Sequence, residues 1–210
     1  MKRLLFSFSV CCLMVITGFA QNSQPKTPMN TALVLIDIQN DYFEKGAMPL
    51  AAPGQACDNA RLILDRFRRD GALVIHVRHA AQNPAATFFL PNTPGAEIND
   101  KVKPRPEEIV IIKHYPNGFR ETALNEELQT RNITSLVICG MMTHMCVDAT
   151  TRAAKDFGYN CTLIGDACAT RDLEVNGHKV NAKEVQNSFL AALNYYYATV
   201  KTTQQYVDNK

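Results

Sequence analysis

The sequence has no tryptophan, no Cys-x-x-Cys pair and no long run of like charge among its 210 residues. Without its first twenty residues, which include Lys2 and Arg3, basic and acidic side chains are equal in number. Such a balance offers no electrostatic footprint for a nucleic acid or an anionic membrane, so neither is an expected partner. The composition, 46% hydrophobic and 20% charged, is that of one ordinary globular domain and excludes disordered and coiled-coil chains.

The first twenty residues have the pattern of a secretory signal peptide. A short positive start precedes thirteen uncharged residues (4–16), too few to span a bilayer, and small residues stand at Gly18 and Ala20. We predict cleavage before Gln21, export to the periplasm or the cell exterior, and no membrane contact afterwards. A polar lead-in is expected over residues 21–30 and a single domain over 31–210.

Five cysteines lie outside this leader, and their odd number leaves at least one thiol unpaired in an oxidising compartment. They are Cys57, Cys139, Cys146, Cys161 and Cys168. We expect Cys146 to stay reduced for the reason given below, so any structural disulfide would join two of the other four. The cysteine and histidine spacing does not fit a structural zinc site.

Short apolar runs alternate with segments of helical spacing along the domain. The runs are nearly continuous in Val, Ile and Leu, as in strands buried on both faces of a parallel sheet. They cover residues 31–36, 73–77, 109–112, 135–139 and 162–164, and helical spacing covers 56–69, 121–130, 146–157 and 183–193. This alternation predicts a doubly wound α/β fold. The interval 80–105, with four prolines, predicts a long functional or interface loop.

Three chemically complementary side chains follow predicted strands. Asp37 ends the first strand, Lys113 ends the third, and Cys146 opens the helix after the fourth. Ligands of open α/β sheets bind beyond the carboxyl ends of the strands, and buried charges are expected to pair. Lys113 and the helix N-terminus would lower the pKa of the Cys146 thiol, and Asp37 would take its proton. Taken singly, Asp37 would be explained as a turn former, Lys113 as a solvated charge and Cys146 as a packing residue.

The segments around these residues resemble the isochorismatase-like cysteine hydrolases, a superfamily that includes nicotinamidases and other small-amide hydrolases. The most specific segment is CGMMTHMCVDATTRAAKDFGY, supported by IKHYPNGF and TLIGDACATRDL. The resemblance implies a three-layer α/β/α fold with a six-stranded parallel sheet, a final strand near residues 198–202, and a homodimer or larger assembly.

The same resemblance implies roles for particular residues. It makes Asp37, Lys113 and Cys146 the catalytic triad. It also implies a cis peptide between Met141 and Met142, with the backbone N–H groups of Met142 and Cys146 as oxyanion donors.

Two departures from the family narrow the expected substrate. Nicotinamidases bind a divalent metal through Asp-x-His and a further His, whereas residues 48–53 read MPLAAP here. We therefore expect neither a metal nor another cofactor. Isochorismatases that cleave a vinyl ether generally lack the nucleophilic cysteine, which this chain retains. The HVRH, TPGAE and DACATR segments resemble a subgroup that includes streptothricin-type lactam hydrolases, which implies a small amide, lactam or ureide substrate.

Pocket candidates and alternative functions complete the prediction. Side chains just past strand ends or beside the triad are Tyr42, Phe43, His79, Phe119 and His144, and ordinary packing explains them equally well. His144 is a poor base for Cys146 because residues two apart on a helix do not face each other. Besides thioester hydrolysis, the chain could hydrolyse a non-amide molecule, carry a redox-active thiol, or bind a ligand without turnover.

Overall fold

The computed structural model describes residues 26–208 of the chain. The predicted signal peptide (1–20) and residues 21–25 of the lead-in lie outside the described residues, so cleavage and export stay predictions. Across the described range, no helix combines the length and apolarity needed to cross a bilayer.

A six-stranded parallel sheet with flanking helices forms the domain, as predicted. The strands are β1 (Thr31–Ile36), β2 (Leu73–His79), β3 (Ile109–Lys113), β4 (Ser135–Met141), β5 (Asn160–Ala169), β6 (Leu173–Val175), β7 (His178–Val180) and β8 (Thr199–Lys201). The helices are α1 (Pro53–Asp70), α2 (Leu124–Thr130), α3 (Asp148–Asp156), α4 (Ala182–Tyr196) and α5 (Thr203–Val207). All of β1 and nearly all of β4 are buried, which explains their unbroken apolar sequences.

The strand order, β3-β2-β1-β4-β5-β8, reverses direction between β1 and β4. Because parallel crossovers are right-handed, α1 covers one face of the sheet and α2, α3 and α4 cover the other. Helix α5 returns to the α1 face, where Tyr206 stacks on Phe67 with ring centroids 6.3 Å apart. The reversal point between β1 and β4 is where open α/β sheets form their ligand crevice.

Three elements differ from their predicted form. Helix α2 begins at Leu124 and not at residue 121, because Glu121 has a φ of 56° and cannot be helical. The segment after β4 is a π-helical turn (Thr143–Val147) that precedes α3, so Cys146 lies before the α-helix and does not open it. Strands β6 and β7 form an antiparallel hairpin that was not predicted.

The predicted long loop after β2 is ordered by a buried aspartate. Asp41 is 7% exposed, and its carboxylate accepts hydrogen bonds from the backbone N–H groups of Phe89 (2.6 Å) and Ala47 (3.2 Å). Gly95 packs so closely on this carboxylate that a Cβ there would lie 2.0 Å from its Oδ1. Asp41 therefore fastens the loop over the carboxyl end of β1.

Candidate active site

Asp37 directly follows β1 and is fully buried. Its φ of 49° lies in the left-handed region, which non-glycine residues adopt mainly where the surroundings enforce it. Its Oδ2 lies 2.7 Å from the Lys113 ammonium, forming an ion pair with both side chains 0% exposed. The other carboxylate oxygen, Oδ1, has no hydrogen-bond partner within residues 26–208. The carboxylate is therefore ion-paired with Lys113 but can still accept a hydrogen bond or a proton.

Lys113 ends β3 and connects the site. Its Nζ contacts Asp37 Oδ2 at 2.7 Å, donates to Cys146 Sγ at 3.2 Å, and lies 3.1 Å from His79 Nδ1. Burial lowers the pKa of Lys113, but the negative charge of Asp37 and the sulfur of Cys146 outweigh it and raise the pKa above its ordinary value. Lys113 is therefore a permanent cation between an acid and a thiol.

Cys146 lies in the π-helical turn after β4 and is 6% exposed. Gly140 permits this turn: its φ is 138°, and a Cβ there would lie 2.0 Å from the Ile36 carbonyl oxygen. The Met141–Met142 peptide bond that follows is cis. The N–H groups of Met145 and Val147 both donate to the Met142 carbonyl, which closes the turn. The oxyanion roles of the Met142 and Cys146 N–H groups stay predictions.

The predicted lowering of the Cys146 pKa is wrong. Burial and the adjacent negative charge of Asp37 raise the pKa of the thiol, and the Lys113 ammonium offsets only part of that rise. The error came from counting the favourable cation without the desolvation cost. The resting sulfur is consequently a neutral thiol beside a carboxylate that can accept its proton.

The predicted pocket residues take different positions. Tyr42 is 1% exposed and packs on Phe89 with ring centroids 4.7 Å apart. Burial raises the pKa of its phenol, and the negative charges that Cys146 and Asp37 can carry raise it further. Tyr42 is therefore a buried neighbour of the triad. His79 faces Lys113 inside the site. Phe43 instead lines a separate surface cleft formed by residues 40–54 and the Pro94 turn.

The other two candidates separate in the same way. Phe119 packs in an aromatic cluster with Phe157 and Tyr159, so its contacts are those of a core residue. His144 is half-buried, with its Nδ1 2.6 Å from Thr170 Oγ1, and it lines a cleft beside the nucleophile turn. Burial and the nearby Arg171 lower the pKa of His144.

That cleft has a volume of about 560 Å³ and adjoins Met142 of the turn. Its walls combine the thioether side chains of Met48 and Met145 with charged residues just before and within the β6–β7 hairpin, which are Arg171, Asp172, Glu174 and Lys179. Sequence reasoning missed this wall because it missed the hairpin. The Asn176-Gly177 pair, flanked by alternating apolar residues, is the signal that would have revealed it, and both residues have positive φ.

Hydrogen bonds to Gln186 also hold the turn that carries Cys146. Thr143 Oγ1 donates to Gln186 Oε1 at 2.7 Å, and the Gln186 amide donates to the carbonyls of Gly165 (2.9 Å) and Cys168 (3.2 Å). Gln186 thus ties the turn to β5 and α4. No sequence pattern singled out this residue.

All five cysteines of the described chain are free thiols and all are buried. Burial raises the pKa of Cys57 and Cys161 to about 11 each, and of Cys168 to about 12. Burial also raises the pKa of Cys146, so what sets Cys146 apart from these three thiols is its contact with Lys113 beside Asp37. Residues 26–208 contain no group of three or more His, Cys, Asp and Glu side chains able to hold a metal ion.

Comparison with known proteins places this arrangement in context. An isochorismatase domain model matches residues 31–205. The chain is 50% identical over 179 residues to the isochorismatase family protein YddQ of Bacillus subtilis, covering 85% of this chain and 99% of YddQ. It is 37% identical over 142 residues to streptothricin hydrolase of Streptomyces noursei, covering 68% of this chain and 50% of that hydrolase. A structure assigned as an isochorismatase hydrolase from Oleispira antarctica is 44% identical with a TM-score of 0.83, covering 88% of this chain and 99% of the other.

Proposed function

The chain belongs to the isochorismatase family of hydrolases, and from that premise we propose that it hydrolyses a small amide, lactam or ureide through a thioester on Cys146. Asp37 acts as the general acid and base, and Lys113 holds the two reacting groups together. The N–H groups of Met142 and Cys146 receive the oxyanion.

The observation that carries the proposal is the position of the Lys113 ammonium between the other two groups. One nitrogen lies 2.7 Å from Asp37 Oδ2 and 3.2 Å from Cys146 Sγ, and all three side chains are at least nine-tenths buried. A buried carboxylate normally has its oxygens fully hydrogen-bonded. Asp37 Oδ1 has no such partner within residues 26–208, which leaves the carboxylate able to accept a proton from the sulfur.

Acylation begins from the neutral thiol. Cys146 transfers its proton to Asp37 as the sulfur attacks the substrate carbonyl carbon, forming a C–S bond and a tetrahedral oxyanion. The Lys113 ammonium stabilises the negative charge while it passes from carboxylate to sulfur. Asp37 then returns the proton to the leaving nitrogen as the C–N bond breaks, and a thioester remains on Cys146.

Deacylation repeats the same steps with water. Asp37 takes a proton from the water as the water oxygen attacks the thioester carbonyl carbon, and the C–S bond then breaks. The proton passes to the departing sulfur, which restores the thiol and releases a carboxylic acid. One carboxylate therefore serves both half-reactions because each of them ends with Asp37 deprotonated and paired with Lys113 again.

The cleft beside the turn adjoins the site at Met142, His144 and Met145, although none of the three triad side chains lines it, and it offers room for a small, partly apolar substrate. Its volume of about 560 Å³ is in the range of small-molecule sites. Met48, Met142 and Met145 supply adaptable apolar surface, and His144 supplies a polar ring. The similarity to streptothricin hydrolase supports a C–N bond as the target of attack.

The test is detection of an acyl group on Cys146. The purified protein is incubated with a library of small amides, lactams and ureides, quenched in acid and measured by intact mass, with peptide mapping of the adduct. We expect an adduct on Cys146, and product release by the wild-type protein. Cys161→Ala, a matched change of another buried cysteine, should keep both.

Three outcomes would contradict the proposal. Turnover by Cys146→Ala would exclude the thioester. Adducts formed only by non-amide substrates would indicate the broader hydrolase function. Ligand binding without adduct or product would indicate a binding protein that has lost turnover.

A further inference from the structure

The register of β2 and β3 places His79 beside Lys113. The two residues are direct partners at the carboxyl ends of these parallel strands. Side chains of such a pair lie on the same face of the sheet. As a result, the imidazole and the ammonium meet inside the site, with His79 Nδ1 3.1 Å from Lys113 Nζ.

The contact completes the coordination of the ammonium. A lysine ammonium has three N–H donors and no acceptor. Here it faces three atoms that can accept: Asp37 Oδ2 at 2.7 Å, His79 Nδ1 at 3.1 Å and Cys146 Sγ at 3.2 Å. Every N–H of the buried cation is therefore used, which avoids the cost of an unpaired donor.

The acceptor role requires a neutral imidazole with its proton on Nε2. Burial and the positive charge of Lys113 lower the pKa of His79 to about 4, so the ring is neutral near pH 7. This protonation state leaves the Nδ1 lone pair available to Lys113.

A buried glutamine fixes His79 in place. The backbone N–H of His79 donates to Gln39 Oε1 at 2.8 Å, and the Gln39 amide donates to the backbone carbonyls of His79 at 2.9 Å and Ala96 at 2.7 Å. Gln39 is 0% exposed. The ring of Phe89 packs near the imidazole, with centroids 5.8 Å apart. His79 is thus held before any substrate binds.

We propose that His79 is a positioning residue for Lys113. Its Nδ1 accepts a hydrogen bond from one ammonium N–H and so directs the other two N–H groups at Asp37 and Cys146. The consequence for catalysis rests on the proposed function. The consequence for the sulfur does not, because a misdirected or uncharged Lys113 stabilises the Cys146 thiolate less well.

Alkylation of Cys146 measures this directly without a substrate. Its rate with iodoacetamide is followed by peptide mapping at pH 8 for the wild type, His79→Phe and His79→Asn. Phenylalanine keeps a ring against Phe89 but has no acceptor, whereas the asparagine Oδ1 can take the place of Nδ1. We expect His79→Phe to react about tenfold more slowly, equivalent to one unit of thiol pKa, and His79→Asn to react within about threefold of the wild type. The exposed His178→Phe is the control and should match the wild type.

Alkylation of His79→Phe at the wild-type rate would overturn the proposal. Equal slowing of His79→Phe and His79→Asn would also overturn it, since packing and not the acceptor would then matter. Should His79→Phe fail to fold, the ¹⁵N chemical shift of His79 Nδ1 in the wild type decides. An unprotonated Nδ1 at pH 7 is expected, and a protonated one refutes the role.

The two proposals fail separately. Absence of any acyl adduct alongside slowed alkylation of His79→Phe would reject the amide hydrolase function and keep the positioning role. Adduct formation with normal alkylation of His79→Phe would do the reverse.

Discussion

Two buried ion clusters adjoin strands β2 and β3, one near the start of β3 and one at the carboxyl ends of both strands, and they differ in how completely the carboxylate is hydrogen-bonded. At the start of β3, Glu108 accepts two hydrogen bonds from Arg68 (2.7 and 2.8 Å) and one from the Arg105 N–H (2.9 Å), and it contacts His76 Nε2 at 2.9 Å. We call Glu108, Arg68 and His76 the structural cluster.

At the other end of the same strands lie Asp37, Lys113, Cys146 and His79, which we call the catalytic cluster after their proposed role. There the lysine ammonium faces three acceptor atoms, whereas Asp37 Oδ1 has no hydrogen-bond donor within residues 26–208. A saturated carboxylate cannot accept a further proton without losing bonds, whereas Asp37 can. The comparison teaches that spare acceptor capacity, and not burial or charge, separates a reactive ion cluster from a stabilising one.

The largest expected effect would break the comparison at the catalytic end. Asp37→Asn removes the proton acceptor, so we expect kcat/KM toward any accepted amide to fall by about 10²–10⁴. Glu108→Gln makes the same chemical change in the structural cluster and should keep activity within about fivefold below its melting temperature. Steady-state kinetics on both variants test this. Similar losses in the two variants would remove the distinction drawn here.

The second prediction concerns stability at the structural end. Glu108→Gln leaves the Arg68 guanidinium, 8% exposed, without its carboxylate. Removing one member of a buried pair is strongly destabilising, so we expect the free energy of unfolding in urea to fall by about 3 kcal/mol. The double variant Glu108→Gln/Arg68→Met should lose less than the sum of the single changes. Strict additivity would mean that the two side chains are not coupled.

A third prediction uses acid to titrate the structural cluster. Burial raises the pKa of Glu108, but hydrogen bonds from Arg68, Arg105 and His76 outweigh it and lower the pKa from 4.5 to about 2. A lowered carboxyl pKa stabilises the fold fully above pH 4.5, and this contribution is lost as the pH falls from 4.5 towards 2. Its size is at most about 3 kcal/mol. Urea unfolding across this range should show the loss in the wild type and not in Glu108→Gln.

The smallest expected effect sharpens the comparison from the catalytic side. The pKa of His79 is about 4 in the folded protein, against an ordinary value of 6.5 for the unfolded chain. As the pH falls, the unfolded chain is therefore protonated at His79 before the folded protein is. The resulting stability is complete above pH 6.5 and is lost as the pH falls from 6.5 to 4. After allowance for partial exposure of the ring, we expect about 1–2 kcal/mol. His79→Asn should flatten this part of the unfolding profile, and an unchanged slope would contradict the neutral imidazole.

Much of the sheet could be predicted because its central strands are buried on both faces, although β3 exposes Val110 and Ile112 on one face. β1 was predicted at its observed bounds, 31–36, and β3 and β4 differ only at their carboxyl ends. Elements decided by backbone dihedrals were harder to predict. A positive φ at Glu121 delays α2, and a π-helical turn replaces the first turn expected at Cys146. Apolar periodicity contains no information about such local geometry.

For the candidate site, the residue types at the strand ends pointed to Asp37, Lys113 and Cys146, and the structure brings these three side chains together. The His79 contact and the Gln186 tether could not be predicted in this way. They depend on the register between β2 and β3 and on the packing of α4 against the nucleophile turn. Neither relation has a short-range signature along the chain.

By itself, the sequence determined the α/β architecture and the three side chains at one edge of the sheet, because burial periodicity and strand-end position are local properties of a chain. Only the tertiary structure decided which of those groups carries the proton. Buried charges at Asp37 and Lys113 act on the sulfur through space, and the cost of removing Cys146 from water exceeds the help from the cation. That balance depends on distances between residues far apart in the chain, so it exists only once the domain has folded.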